Sequence, residues 1–383
     1  MMYVKFCLIQ GAYCIGWAGI MQAYLVPLCS DYGYSVLQIS ILTAIANAAA
    51  IVAKPVYGFL CDRIKRTALI LSIATIVGIA AALLLLASRG VVALTAVAIL
   101  ILYGTTGALG YLIDAWTVRL QIAGVRLSYG ETRACGSICY ALFSGVFGNL
   151  LDRLGFGILV PMYIGMSVIL LVSVLWVKEP IFMAEITNKK KQLPISEIRG
   201  LLMQRRFVGV LLSVFFVFFS SYCASLFLPL RIDEMGGSNT HYGMALFVSG
   251  TTEVIMLLLY RKLSIKFSHQ KLLLASFVFA LIMVVTLALS SKPRFAVVMM
   301  GIQGISSGLY LAAIAYFVPE VVGLSLSYTG SMIVAAMLSV AAVLAGLYMG
   351  VMITWIGLQM AMITGIAFGV LGIAEFLCLC CSK

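Results

Sequence analysis

Runs of about twenty apolar residues, parted by short polar breaks, recur from one end of this 383-residue chain to the other. A helix rises about 1.5 Å per residue, so such a run crosses a hydrocarbon core of about 30 Å. No water meets a free backbone N–H or C=O inside hydrocarbon, so each segment must close its own hydrogen bonds as a helix, or close them around a barrel. Barrel strands read as alternating segments of about ten residues, and the sequence does not show that pattern. With 10% charged and 63% hydrophobic residues, the chain also cannot clothe a soluble surface, which needs roughly 25% charged residues. The reading is an all-α, multi-pass membrane protein.

The runs place membrane spans at 6–29, 36–60, 67–88, 91–117, 131–151 and 155–177, then at 206–230, 241–260, 271–290, 295–318, 327–350 and 355–379. Between the two sets lies the one long polar segment, "KEPIFMAEITNKKKQLPISEIRGLLMQR" (178–205). The expected organisation is a six-helix bundle over 1–178, a cytoplasmic linker over 179–205 and a second six-helix bundle over 206–383. With both termini inside, the cytoplasmic segments collect Arg63, Lys65 and Arg66, then Arg119, Arg126 and Arg133, then the Lys189–Lys191 run, and later Arg261, Lys262, Lys266 and Lys271. The outer segments hold Arg89, Arg153, Arg231, Lys292 and Arg294. This bias sets the orientation and accounts for the net charge of +12. Cations spread over many loops do not make a nucleic-acid surface. The first span lacks a small-residue cleavage site and is expected to be retained. The ten cysteines form no paired CxxC set, so no metal site is expected.

The halves echo one another. "AYLVPLCSDYGYSVLQIS" (23–40) parallels "SLFLPLRIDEMGGSNTHYG" (225–243), an offset of about 203 residues, with Pro27 and Pro229 ending the first helix of each half. Internal repeats of this kind are characteristic of transporter folds, whose solute site lies near the midplane at the repeat interface.

Four of the ionisable residues within spans are the candidates: Lys54, Asp114, Arg133 and Glu253. Each costs several kcal/mol to insert and is a functional candidate for that reason. Asp114 follows Gly104, Gly107 and Gly110, a stripe that lets another helix close in or leaves room for a solute. Asp114 and Arg133 admit two readings, a structural ion pair or a solute site. Glu253 is either hydrogen-bonded to a neighbouring helix through Thr251 or Thr252, or exposed to solute and able to take up a proton. Lys54 either extends to the interface or adds a second cation to a cavity. Tyr24, Asn47, Trp116 and Gln303 are neutral candidates for solute contact, since rings stack on sugars or bases and amides bond hydroxyls. Helix packing is the competing role for each.

Three patches resemble a known family. "GFLCDRIKR" (58–66) resembles the loop signature of the major facilitator superfamily, with Gly58, Asp62, Arg63 and Arg66 matching and Lys65 standing where glycine is usual. "YLIDAWTVRLQ" (111–121) followed by "YGETRACGSICYAL" (129–142) resembles the lactose and phenylpropionate permease branch, through Tyr129, Gly130, Arg133, Gly136 and Ser137 after an acid late in the fourth span. "GTTEVIMLLLYRKLSIKFSHQKLLL" (250–274) is similar to that branch's eighth span, which carries one acid. The resemblance implies twelve helices in two bundles, the major facilitator fold, and solute:proton symport. Arg133 and Asp114 would then bind solute, the arginine offering a planar two-pronged fork, and Glu253 would complete the site and carry the proton with Asp114. Where that branch has a histidine and a glutamate in the tenth span, "GIQGISSGLYLAAIAYF" (301–317) has Gln303 and Ser306, which do not titrate.

The expected function is therefore secondary active transport of a small polar organic solute, a sugar, nucleoside or aromatic or organic acid, by proton-coupled uptake. No enzyme signature such as HExxH, a P-loop or a nucleophile elbow is present. A drug or metabolite exporter, a membrane-embedded enzyme and a solute sensor are the competing classes. Expected partners are the solute and membrane lipids, with no cofactor beyond the proton gradient, in a monomer of the bacterial-type inner membrane.

Overall fold

The computed structural model describes residues 2–64, 66–122, 124–127, 129–177, 203–322 and 327–380. Among them are twelve helices long and apolar enough to cross a membrane, in the order the hydropathy predicts. The chain divides into two compact units, Met1–Lys191 and Gln192–Lys383.

In the first unit α1 (Met2–Tyr13) passes into a π-helical stretch, Cys14–Gln22, and then into the short α2 (Leu25–Asp31). There follow α3 (Val36–Ile64), α4 (Thr67–Ala87), α5 (Val92–Thr106), α6 (Leu109–Ile122), α7 (Tyr129–Leu154) and α8 (Leu159–Leu175). The second unit holds α9 (Arg205–Ser225), α10 (Leu228–Glu234), α11 (Asn239–Lys266), α12 (His269–Ala288), α13 (Pro293–Val322), α14 (Ser327–Ile356) and α15 (Leu358–Cys380).

Three sequence expectations change in detail. The 6–29 span is not one helix but α1, the π stretch and α2. The 91–117 span breaks after Thr106, where Gly107 and Ala108 form a turn between α5 and α6. The stretch expected as a loop from Gly58 is helical through Ile64, as the last turns of α3. The internal repeat is sharper than the sequence shows. The short helices α2 and α10 are displaced by 203 residues at both ends. Each carries its proline in the first three residues, so Pro27 and Pro229 open a second short helix rather than ending the first. A proline at a helix start lacks an N–H that has no helical acceptor anyway.

Packing inside each unit follows from the side chains. Phe6, Ile9, Leu71, Ile113, Trp116 and Val174 belong to one buried cluster of the first unit. Phe207, Val214, Phe277, Phe317 and Phe376 belong to one of the second. On α7 the opposite face is apolar and outward, with Ile138, Leu142 and Val146 at successive four-residue steps exposed by 50%, 61% and 68%. That stripe suits lipid. The turn after α4 is tied by hydroxyls: Tyr34 and Thr95 share a 2.6 Å hydrogen bond, and Ser88 and Thr95 share one of 2.9 Å. Cations and amides meet helix C-termini, as the helix dipole favours. Lys5 donates to the Trp176 carbonyl at the end of α8 (2.6 Å). Beyond α12, Arg231 donates to the Ser290 carbonyl and Gln359 to that of Ala288.

The closest seam in the second unit joins α11 to α13. A Cβ at Gly304 would meet the Thr252 hydroxyl and the Ser249 carbonyl, and one at Gly308 would lie 2.8 Å from the Glu253 carbonyl. Small residues at such crossings let backbones touch, which is how helices associate where lipid is as apolar as leucine. Gly304→Ala is expected to lower the unfolding stability of the detergent-solubilised protein by about 1–3 kcal/mol, the usual cost of overpacking. Gly165→Ala on α8, with open space around its Cβ, serves as the control and should be neutral or slightly stabilising. Equal melting temperatures for the two variants would contradict the seam.

Candidate functional site

Each unit brings one of the span acids, Asp114 or Glu253, together with polar side chains of other helices. In the first, three helices bring Asp114 (α6), Arg133 (α7) and Gln10 (α1) together. The Gln10 amide, 1% exposed, donates to Asp114 Oδ1 at 2.7 Å. Arg133 Nε lies 3.8 Å from Asp114 Oδ2, with the arginine side chain 46% exposed and the aspartate 26%. Arg133 Nη1 also reaches Ser137 Oγ at 3.4 Å and Cys14 Sγ at 3.9 Å. The sequence permits the approach through Gly136, where a Cβ would lie 2.8 Å from Cys14 Sγ and 3.3 Å from the Gln10 carbonyl. Magnitudes rank the ties. A half-exposed ion pair at 3.8 Å contributes up to about 1 kcal/mol, whereas a hydrogen bond from a buried amide to a charged group contributes about 1.5–3 kcal/mol. The buried amide therefore holds the aspartate more firmly than the guanidinium does. The arginine side chain is left half-exposed.

The other sequence candidates of this unit are placed as follows. Lys54 sets its ammonium over the Tyr111 ring, 4.8 Å from the centroid, one turn before Asp114 on the same helix. Asn47 donates to the Thr43 carbonyl of its own helix (2.9 Å) and is half-buried. Tyr24 is fully buried, edge-on to Phe147. Trp116 corrects the sequence expectation: it is fully buried in the apolar cluster with its ring 4.9 Å from that of Phe6. Two positions from Asp114 on a helix is a turn of about 200°, which carries the indole away from the acid. The glycine stripe before Asp114 is met by side chains of the first and second spans, with Ala49 3.8 Å from a Cβ at Gly104 and Ala50 3.2 Å from one at Gly107. A Cβ at Gly107 would lie 3.3 Å from Trp17, and one at Gly110 would lie 2.8 Å from Tyr13. In the loop signature, Gly58, Asp62 and Arg63 lie on α3, but their side chains are outside the described residues. Arg66 is exposed at the start of α4.

In the second unit Ser307 of α13 donates to Glu253 Oε2 of α11 at 2.6 Å. Thr252 beside it donates to the Gly301 carbonyl of α13 at 3.0 Å, while the carboxylate is met by a serine. Ser306 faces elsewhere, donating to the Ser276 carbonyl of α12 at 2.8 Å. Gln303 is half-buried, and its Oε1 has no partner among the described residues. Further along the same helices Tyr260, His269, Tyr316 and Glu320 form a second titratable group. The Tyr260 hydroxyl meets His269 Nδ1 at 2.6 Å, Glu320 lies 3.8 Å from Nε2, and Tyr316 stacks on the imidazole. Among the described residues no three His, Cys, Asp or Glu side chains are arranged to hold a metal ion.

Sequence reasoning missed two partners, Gln10 and Ser307. The signal for Gln10 was present: it is an amide in an otherwise apolar stretch, "FCLIQGAYC". Ser307 carries no such signal, because it stands beside Ser306 and only the helix register separates them. A double-mutant cycle of Gln10→Leu with Asp114→Asn, read as unfolding stability, should give a coupling energy of about 1.5–3 kcal/mol. A coupling near zero would contradict the buried bond.

The MFS_1 like family model matches residues 12–369. No curated protein matches the sequence. Among solved structures, the nucleoside transporter NupG is similar in fold at 13% identity, with a TM-score of 0.83 over 100% of both chains. A bacterial homolog of the human lysosomal transporter Spinster, inward-facing and unoccupied, matches at 14% identity with a TM-score of 0.70, over 99% of this chain and 96% of that one. These relatives are transporters, not enzymes. Twelve apolar helices in this fold and a family match spanning nearly the whole sequence make the chain a multi-pass membrane transport protein of the MFS_1 like family.

Proposed function

We propose that this protein takes up a small polar organic solute by alternating access, using a proton gradient as its energy source and no cofactor. The observation that carries the reading is the Asp114–Arg133 pair held by Gln10. Acid, guanidinium and amide offer acceptors and forked donors that suit a solute bearing hydroxyls or a carboxylate. The resemblance to the lactose and phenylpropionate permease branch supports the same roles, with Arg133 and Asp114 binding and Glu253 taking up the proton. Asn47, Lys54 and Tyr24 rank below them, since each has an intrahelical, ring or core environment of its own, and Gln303 follows as a neutral amide. Nucleosides head the list of solutes to test, because NupG, described as a nucleoside transporter, shares the fold. The protein acts as a monomer in the inner membrane of a bacterial-type cell, with both termini and the 179–205 linker in the cytoplasm.

Uptake into proteoliposomes, with and without an inward proton gradient, tests the reading on nucleosides, sugars and aromatic acids. Gradient-stimulated accumulation of at least one class is expected, and Glu253→Gln should abolish the stimulation. Arg133→Ala should weaken solute affinity by roughly 10- to 100-fold, the loss of charge-assisted hydrogen bonds worth about 1.5–3 kcal/mol. Accumulation unchanged in Glu253→Gln would remove the proton from the proposal, and unchanged affinity in Arg133→Ala would remove the arginine from the site.

A further inference from the structure

We infer that Ser307 is a positioning residue that satisfies Glu253 in both of its charge states, so that a proton is gained and lost without repacking. The inference rests on the reading that Glu253 takes up the proton. Ser307 Oγ lies 2.6 Å from Glu253 Oε2 and 3.3 Å from the carbonyl of Gly304, one turn back on its own helix. A hydroxyl has one hydrogen to donate and two lone pairs to accept with. When the glutamate is ionised, that hydrogen points to Oε2. When Oε2 takes a proton of the gradient from hydronium, leaving water, the new carboxyl O–H donates to Ser307 Oγ, and the serine hydrogen turns to the Gly304 carbonyl. The proton stays on the glutamate, the serine keeps its own hydrogen, and the exchange needs only rotation about the Cβ–Oγ bond.

The geometry is held by backbone. At Gly304 the two helices are so close that a Cβ would strike the Thr252 hydroxyl and Ser249 carbonyl of α11. The acceptor carbonyl, the serine and the glutamate thus sit on one rigid seam. At Asp114 one partner is of another kind, because the Arg133 guanidinium has donors and no acceptor and serves only the ionised form of the acid. Among the described residues, the titratable groups on the elements packed on α11 have contacts of their own or stand at helix ends. Arg231 of α10 pairs with Glu234 at 3.0 Å. His269 of α12 and Tyr316 and Glu320 of α13 gather around Tyr260. Tyr310 of α13 is buried against Phe218. Asp233, Lys271 and Arg294 lie within three residues of the ends of α10, α12 and α13.

Infrared difference spectra of wild type minus Glu253→Gln, at acid and alkaline pH, isolate the protonated and ionised carboxyl bands of this one residue. In a Ser307→Ala background both bands should shift, and in Ser307→Thr, which keeps the hydroxyl, both should stay. Gradient-driven uptake should fall about tenfold or more in Ser307→Ala, as for the loss of a hydrogen bond to a charged group, and survive in Ser307→Thr. A shift of only one band, or of neither, overturns the inference, as does full gradient-driven uptake in Ser307→Ala. The infrared arm does not depend on transport. Wild-type bands that respond to Ser307→Ala while Glu253→Gln still accumulates solute would therefore overturn the proton-carrying reading itself, separately from the hydrogen bond.

Discussion

Charge in hydrocarbon has to be answered at hydrogen-bond distance, and this constraint organises the polar interior of both units. An isolated carboxylate moved out of water loses tens of kcal/mol of hydration by Born reckoning, far more than any one contact returns. Asp114 is met by an amide at 2.7 Å and a guanidinium at 3.8 Å, and Glu253 by a hydroxyl at 2.6 Å. Each set of partners comes from a different helix than the acid it serves. The acids therefore fix which helices must be neighbours, and glycines at the crossings make the short distances possible.

The two clusters answer the same problem with different chemistry. Asp114 meets an amide and a guanidinium from two other helices, a fixed geometry that suits recognition. A hydroxyl beside Glu253 can donate to the ionised carboxylate or accept from the protonated one, which suits exchange. The lactose permease pattern places titratable residues in the tenth span, and this chain has none at the corresponding places. The hydroxyl of Ser307 is compatible with that substitution, since a partner need not titrate to accommodate a group that does.

Much of the fold was legible in the sequence, because length and hydropathy alone decide what can span a bilayer. The spans follow the apolar runs closely, and the paired Asp114 and Arg133 stand out as charges where charge is costly. Legibility ended where geometry depends on the register between helices. Ser306 and Ser307 are equivalent in composition, yet one faces α12 and the other Glu253. Trp116 near Asp114 in the chain is remote from it around the helix. The π-helical stretch Cys14–Gln22 and the break after Thr106 were also hidden, because an apolar run reads the same whether its hydrogen bonds close over four residues or five. Proximity in sequence was a poor guide to proximity in the helix bundle.

The glycine seam between α11 and α13 has a mechanical consequence. Helices that touch through backbone cannot slide past one another by a fraction of a turn without steric collision, so α11 and α13 behave as one lever. Glu253 and its hydroxyl travel together on that lever through any conformational cycle. Changes in what the carboxylate meets therefore come from outside this helix pair, and not from the side that anchors it. A membrane protein built this way keeps the acid's anchoring contact fixed while leaving its access to change.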